Sequence, residues 1–160
     1  MKYDKSYLRR KFLLKRKKKY LSEENFNFNL IFRFIKKKFK NKKIIIGGYY
    51  PSNYEVNILN FLHKASKKKF KIVLPVIKSP TAMFFKPWST QEPLFVSKFG
   101  ILEPEDIKNK DIIPDLVMVP LVAFDKKLNR IGYGKGFYDR KLKKFKKKKK
   151  NILFLGIANS

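Results

Sequence analysis

Short apolar runs set apart by segments of helical period restrict this chain more than anything else in it. "KIIIGGYYP" (43–51), "KIVLPVI" (71–77), "PDLVMVPLVAF" (114–124) and "NILFLGIA" (151–158) are rich in Ile, Val and Leu with little apolar/polar alternation. A strand with one solvated face alternates, whereas a strand covered on both faces does not. "TAMFFKPW" (81–88) is the more amphipathic exception. "DKSYLRRKFLLKRKKKYL" sets Leu8, Phe12 and Leu13 at helical spacing among basic residues. Ser22 is placed to cap a second helix that carries Phe26, Leu30, Phe34 and Ile35 inward. A third helix is expected from about Glu55 to Lys68 with Leu59 and Leu62 inward, and a last one from near Gly136. Strands alternating with helices predict an α/β fold, a three-layer α/β/α sandwich around a mostly parallel sheet, Rossmann-like. No repeat and no Pro/Gly/Ser linker divides the 160 residues, so a single domain over 1–160 is expected.

Charge narrows the partners. Lys and Arg number 40 against 12 Asp and Glu, a formal +28 that attracts nucleic acid, anionic lipid and phosphorylated small molecules alike. The runs at 15–19, 36–43 and 143–150 resemble nucleic-acid patches, but the whole chain favours Lys, Ile, Phe and Asn, the residues of A/T-rich codons. The runs also lack the interleaved aromatics on which a single-strand binder stacks bases, so they read as solvated faces. A basic binding module without catalysis is the rival class that this leaves. The absence of cysteine excludes disulfides and thiolate chemistry, and no Cys/His zinc site can be built. No apolar stretch of signal-peptide length follows the basic start, and residues 116–124 are far too few to span a bilayer. A soluble cytoplasmic monomer with no membrane and no specific nucleic-acid partner is the expectation. The lone His63 falls in the third helix, where a structural or exposed role is expected.

"RIGYGKGFYDR" (130–140) is where the chemistry concentrates. In an α/β fold, ligands sit where strand carboxyl ends lead into helix N-termini, and this segment precedes the last helix. Alternate glycines let backbone N–H groups approach phosphate oxygens, the helix N-terminus favours negative charge, and Lys135 adds a mobile cation. Neither the Walker pattern nor G-x-G-x-x-G is matched, because no Ser or Thr follows Lys135 and Phe137 stands where a third glycine is required. On the residues alone, a tight turn packed beneath a helix explains the glycines equally well.

The surrounding segment "VPLVAFDKKLNRIGYGKGFYDRKL" (119–142) resembles, nearly position for position, the main motif of the 5-formyltetrahydrofolate cyclo-ligase family, also called 5,10-methenyltetrahydrofolate synthetases. "KSYLR" (5–9), "YYPSNYEVN" (49–57), "VLPVI" (73–77), "MFFKPW" (83–88) and "GILEP" (100–104) match further family landmarks in order. The resemblance implies an ATP- and Mg2+-dependent closure of 5-formyltetrahydrofolate, with or without a polyglutamate tail, to 5,10-methenyltetrahydrofolate. A related ATP-dependent enzyme acting on another substrate is the alternative that the motif leaves open.

Residue by residue, the resemblance implies ATP contacts from Lys5, Arg9, Arg130, Gly132, Gly134, Lys135 and Gly136, with Arg130 and Lys135 as the catalytic phosphate-binding cations. It implies Asp139 as a magnesium ligand, Glu55 as the folate-binding glutamate, and Tyr133, Gly134, Lys135, Gly136 and Phe137 as the loop against the substrate. Tyr50, Trp88 and Tyr138 are candidate walls of a pterin pocket, with core packing as the alternative. Asp125 and Arg140 are expected to organise the loop between them. The chain departs from the family at Asn57 and Ile58, where an acid and a Thr are common. The family also continues past "LGIA" with a segment that supplies a second magnesium-binding carboxylate. A C-terminally shortened fold with a weakened magnesium site is therefore expected.

Overall fold

The computed structural model describes residues 4–19, 27–52, 54–105 and 110–158. Each apolar run contributes a strand to one sheet. A five-stranded sheet has the order β3-β2-β1-β6-β9, made of β1 (Ile45–Gly47), β2 (Lys71–Ser79), β3 (Ala82–Pro87), β6 (Leu116–Pro120) and β9 (Leu153–Ile157). The β2–β3 pairing is antiparallel and the others are parallel. Gly47 pairs with Val73 on one side and Val117 on the other. Two small antiparallel pairs accompany the sheet: β4 (Phe95–Val96) with β5 (Leu102–Glu103), and β7 (Ala123–Phe124) with β8 (Arg130–Ile131).

Alternate side chains of the strands feed two cores. On one face Ile46, Ile72, Leu74, Leu116 and Met118 pack with Ile35 of α2 (Asn29–Phe39) and with Phe61, Leu62 and Ala65 of α3 (Leu59–Lys67). On the other, Val73, Phe85, Val117 and Val119 meet Phe145 of α4 (Phe137–Lys148). These are the three layers that the sequence predicts. Leaving β1, the chain travels through α3 to β2 in one direction, and leaving β6 it travels through α4 to β9 in the other. Crossovers of one hand then require helices on opposite faces. The reversal lies between β1 and β6, whose carboxyl ends flank the crevice in which such sheets bind ligands. Gly47 and Gly48 keep the end of β1 thin: a Cβ on Gly47 meets Phe85 and Pro114 at 3.0 Å, and one on Gly48 meets Leu62 at 2.8 Å.

Three expectations are corrected. The second helix buries Ile35 as expected but otherwise turns a different stripe inward. Leu30 and Phe34 are exposed, while Ile31, Phe32 and Ile35 face the core, and Phe28 and Phe32 stack on Phe61 at 5.4 and 4.7 Å. Both stripes have helical spacing, but the second offers a wider apolar surface to Phe61. Ser22 and Phe26 lie outside the described residues. The third helix begins at Leu59 rather than near Glu55, because the Asn57 side chain accepts the Leu59 N–H at 2.9 Å and Glu55 bends back onto Ser52. The run at 114–124 is two strands rather than one. β6 stops at Pro120, and the chain makes the β7–β8 hairpin before the glycine loop. Asp125 closes that hairpin by accepting the Lys127 and Asn129 N–H groups at 2.9 and 2.8 Å, the organising role expected of it. His63 is exposed on α3.

Candidate active site

The glycine loop lies beyond the carboxyl end of β6, and arginines hold it from several sides. Arg9 and Arg16 project from the same side of α1 (Lys5–Lys19), seven residues and about two turns apart. Arg9 Nε donates to the Gly132 carbonyl at 2.7 Å, and its guanidinium stands 3.3 Å from where a Gly134 Cβ would be. Gly134 has φ +104°, so both the backbone and the close cation require glycine there. Gly136 caps α4 in the left-handed region at φ +67°. Arg140 donates to the Lys135 carbonyl at 2.9 Å and to the Thr81 and Pro80 carbonyls at 3.1 and 3.3 Å, tying the loop to the β2–β3 turn as its expected structural role requires.

At the outer rim of the loop, Arg130 forms an ion pair with Asp139, in the first turn of α4. The two residues that the resemblance assigns to phosphate and to magnesium are thus partners of each other, and the Asp139 side chain is 72% exposed. Lys135 is exposed, with Nζ 5.3 Å from the centre of the Phe99 ring, and Phe99 meets Phe137 edge-on at 6.1 Å. Lys5 is exposed one turn ahead of Arg9 on the same face of α1.

Behind the loop the environment becomes dry. Glu55 is 7% exposed and accepts the Ser52 N–H at 2.9 Å. Burial pushes its carboxyl up to about 7, partly offset by Ser52, Arg16 and Tyr133. Tyr49, Tyr133 and Tyr138 are all raised above the ordinary phenol range, first by burial and then by the Glu55 charge. The Tyr49 hydroxyl donates to the Val56 carbonyl at 2.9 Å, and Arg16 Nη1 donates to the Tyr133 hydroxyl at 2.9 Å. Arg16 also donates through Nη2 to the Leu121 carbonyl. The Tyr138 hydroxyl and Arg16 Nε are buried without a protein partner. The crevice therefore has a cationic, glycine-lined rim suited to phosphate and a carboxyl set among tyrosines suited to a flat, hydrogen-bonding heterocycle.

Arg9, Arg130, Gly132, Tyr133, Gly134, Lys135, Gly136, Phe137, Tyr138, Asp139 and Glu55 are gathered here, and Tyr50 is half-buried just past β1. Trp88 is not. It follows β3 at the amino end of β2, where its backbone N–H donates to the Ile72 carbonyl at 3.0 Å and its indole to the Glu92 carbonyl at 3.1 Å. The aromatic beside the loop is instead Phe99, which sequence reasoning missed, as it missed Arg16 and Tyr49. Arg16 had a legible signal. It is an arginine inside a lysine run, at i+7 from Arg9 and i+4 from Phe12, on the face where a solvated run has no need of a guanidinium.

A family model described as the 5-formyltetrahydrofolate cyclo-ligase family matches residues 1–160. The chain belongs to that family. Among similar proteins, a 5-formyltetrahydrofolate cyclo-ligase of Mycoplasma genitalium is 32% identical over 162 residues, covering 97% of this chain and 84% of its own length. One of Haemophilus influenzae is 32% identical over 119 residues, covering 71% of this chain. A solved 5,10-methenyltetrahydrofolate synthetase of Aquifex aeolicus superposes with a TM-score of 0.66 at 28% identity, covering 98% of this chain and 78% of that one. The chain spans 62% of the Haemophilus influenzae relative's length and 56% of that of a Schizosaccharomyces pombe relative. Among the described residues, no helix of this cyclo-ligase family member is long and apolar enough to cross a membrane.

Proposed function

We propose that the chain closes 5-formyltetrahydrofolate to 5,10-methenyltetrahydrofolate, releasing ADP and phosphate. The observation that carries this reading is the glycine loop's position between the cationic rim at Arg9 and Arg130 and the buried carboxyl of Glu55. One loop then faces a nucleotide on one side and a heterocycle on the other.

The chemistry needs no covalent nucleophile from the protein. The formyl oxygen attacks the γ-phosphorus of ATP, the bond from that phosphorus to the bridging oxygen breaks, and ADP leaves. The resulting imidate phosphate has a good leaving group, so the second folate nitrogen attacks the formyl carbon. That nitrogen loses its proton, and the carbon–oxygen bond breaks to give phosphate and the closed ring. The protein's work is to align two ligands and neutralise phosphate charge. Lys135 and Arg130 supply the cations, with Lys5 and Arg9 holding the nucleotide from α1. The N–H groups around Gly132, Gly134 and Gly136 face the phosphates. Ionised Glu55 accepts hydrogen bonds from the pterin N–H groups, and Tyr50, Tyr133, Phe137 and Tyr138 form the surrounding walls.

Among the described residues, no group of three or more His, Asp or Glu forms a metal cage. Magnesium that travels with ATP needs none, since it takes one or two carboxylates, phosphate oxygens and water. An exposed carboxylate at the rim fits that need, so Asp139 would hold the ion, releasing Arg130 to phosphate. The ion would supply neutralisation of charge on the transferring phosphoryl group. We take residues 1–160 as one domain, acting as a cytoplasmic monomer on a folate with or without a polyglutamate tail. The test is the rise of methenyl-folate absorbance on mixing the protein with ATP, magnesium and 5-formyltetrahydrofolate. No rise at any magnesium concentration, from a protein that melts cooperatively, overturns the proposal.

A further inference from the structure

Arg16 is the most deeply placed cation near the crevice. The residue is 6% exposed, in a helix where Lys5, Arg10, Lys11, Lys15, Lys17 and Lys18 are exposed. A buried guanidinium is retained only where fixed partners replace its water. Two are present. The Leu121 carbonyl, just past the end of β6, accepts from Nη2, and the Tyr133 hydroxyl accepts from Nη1 at 2.9 Å. Tyr133 belongs to the glycine loop, and burial together with the Glu55 charge raises its hydroxyl above the ordinary phenol range. A planar fork can hold two acceptors in fixed directions at once, which an ammonium on a flexible stem does poorly. Nε has no protein partner, so the hold rests on the two Nη bonds.

We infer that Arg16 is a positioning residue: by gripping Tyr133 against Leu121 it fixes the glycine loop beside Glu55, in the place where loop and carboxyl together would meet the pterin. The groups facing Glu55 are Ser52 from its own turn, Arg16 from α1, Tyr133 from the loop, Tyr49 after β1 and Tyr138 from α4. Of these, Arg16 is the cation, and its charge favours the carboxylate that burial disfavours. The meeting with the pterin rests on the proposed function; the coupling between Arg16, Tyr133 and Glu55 does not.

The test follows the Glu55 carboxyl by 13C NMR through a pH titration of the full chain, with Glu55→Gln assigning the signal. This readout needs no turnover, so it stands whether or not the cyclisation assay succeeds. The parent midpoint is expected at about 7. Arg16→Met is expected to move it up by roughly half a pH unit, because a cation near a carboxylate lowers its pKa. Arg16→Lys keeps the charge and is expected to bring the midpoint back toward the parent while leaving kcat/KM for the folate depressed, since the two-armed grip is lost. In a Tyr133→Phe background the effect of Arg16→Met on the midpoint is expected to shrink. An unchanged midpoint in Arg16→Met, or equal effects in both backgrounds, overturns the inference. Should Arg16→Met fail to fold, Arg16→Lys and Tyr133→Phe carry the test through the folate kcat/KM, and parent-like values in both overturn it equally.

Discussion

The two ends of the parallel strands use positive charge in opposite ways. At the carboxyl ends, Arg9, Arg16, Arg130 and Arg140 each have a named acceptor and together frame one loop. At the amino ends, where α2, α3 and α4 finish, Lys36, Lys37, Lys38, Lys64, Lys67, Lys146, Lys147 and Lys148 stand exposed in last turns. Cations there complement the negative end of the helix dipole at little desolvation cost. The contrast teaches that in a lysine-rich chain the position of arginine says more about the site than the net charge does. A guanidinium tolerates burial when its fork is filled, whereas these last-turn lysines remain in water, although Lys149, just past α4, pairs with Asp115.

The comparison breaks first at Glu55, the acid that the arginine end must accommodate. Its carboxyl sits near 7 in the folded chain against an ordinary 4.5. The folded state therefore holds a proton that the unfolded state has released between those values, and stability is lost as pH rises through that window. Glu55→Gln is expected to stabilise the fold by about 3 kcal/mol at pH 8 and by almost nothing at pH 4. Urea denaturation at the two pH values measures this; an equal effect at both means the carboxyl is not held protonated. On the proposed function, kcat/KM of the parent for the folate should fall as pH drops through about 7, because a protonated Glu55 would no longer accept pterin N–H groups.

Next in size is Lys135→Ala, which removes a cation that no core requires. A charge-assisted phosphate contact contributes about 1.5 to 3 kcal/mol, so calorimetry should show ATP affinity falling by a factor on the order of ten to a hundred, with the melting temperature unchanged. Parent-like ATP affinity would mean that the rim does not bind phosphate. Gly136→Ala forces a side chain into the left-handed region and brings a Cβ within 2.8 Å of the Arg140 guanidinium. It should cost about 1 to 2 kcal/mol of stability, visible by calorimetric melting, together with weaker ATP binding as the Arg140 grip loosens. The smallest effect is at the other end. Replacing Lys146, Lys147 and Lys148 together with Gln should change stability by no more than about 0.5 kcal/mol per site and leave kcat unaltered. It should lower only the rate of encounter with multiply anionic ligands, and added salt should abolish the difference. A loss of kcat would show that the lysine end takes part in the chemistry.

Much of this molecule is legible from local pattern. The strands are visible because residues covered on both faces must be apolar without alternation, as Leu116 to Pro120, all buried, illustrate. The glycine loop is visible because positive φ at Gly134 and Gly136 and the approach of Arg9 restrict the residue type directly. The failures are as physical as the successes. Two stripes of α2 have helical spacing, and only the position of Phe61 on a neighbouring helix selects Phe32 over Phe34. Trp88 and Phe99 are both aromatics near family landmarks, and only strand pairing takes the first to the far end of the sheet and brings the second beneath Lys135.

By itself, then, the sequence determined the α/β class, the family and the position of the glycine loop before the last helix, since each depends on residue types at short spacing. Tertiary structure alone decided the burial of Glu55 and the partners of Arg16. Desolvation is imposed by whatever packs against a group, and the partner that matters to Arg16 lies 117 residues away in the chain. No local period records a contact of that separation; it exists only once α1 is seated across the ends of the strands.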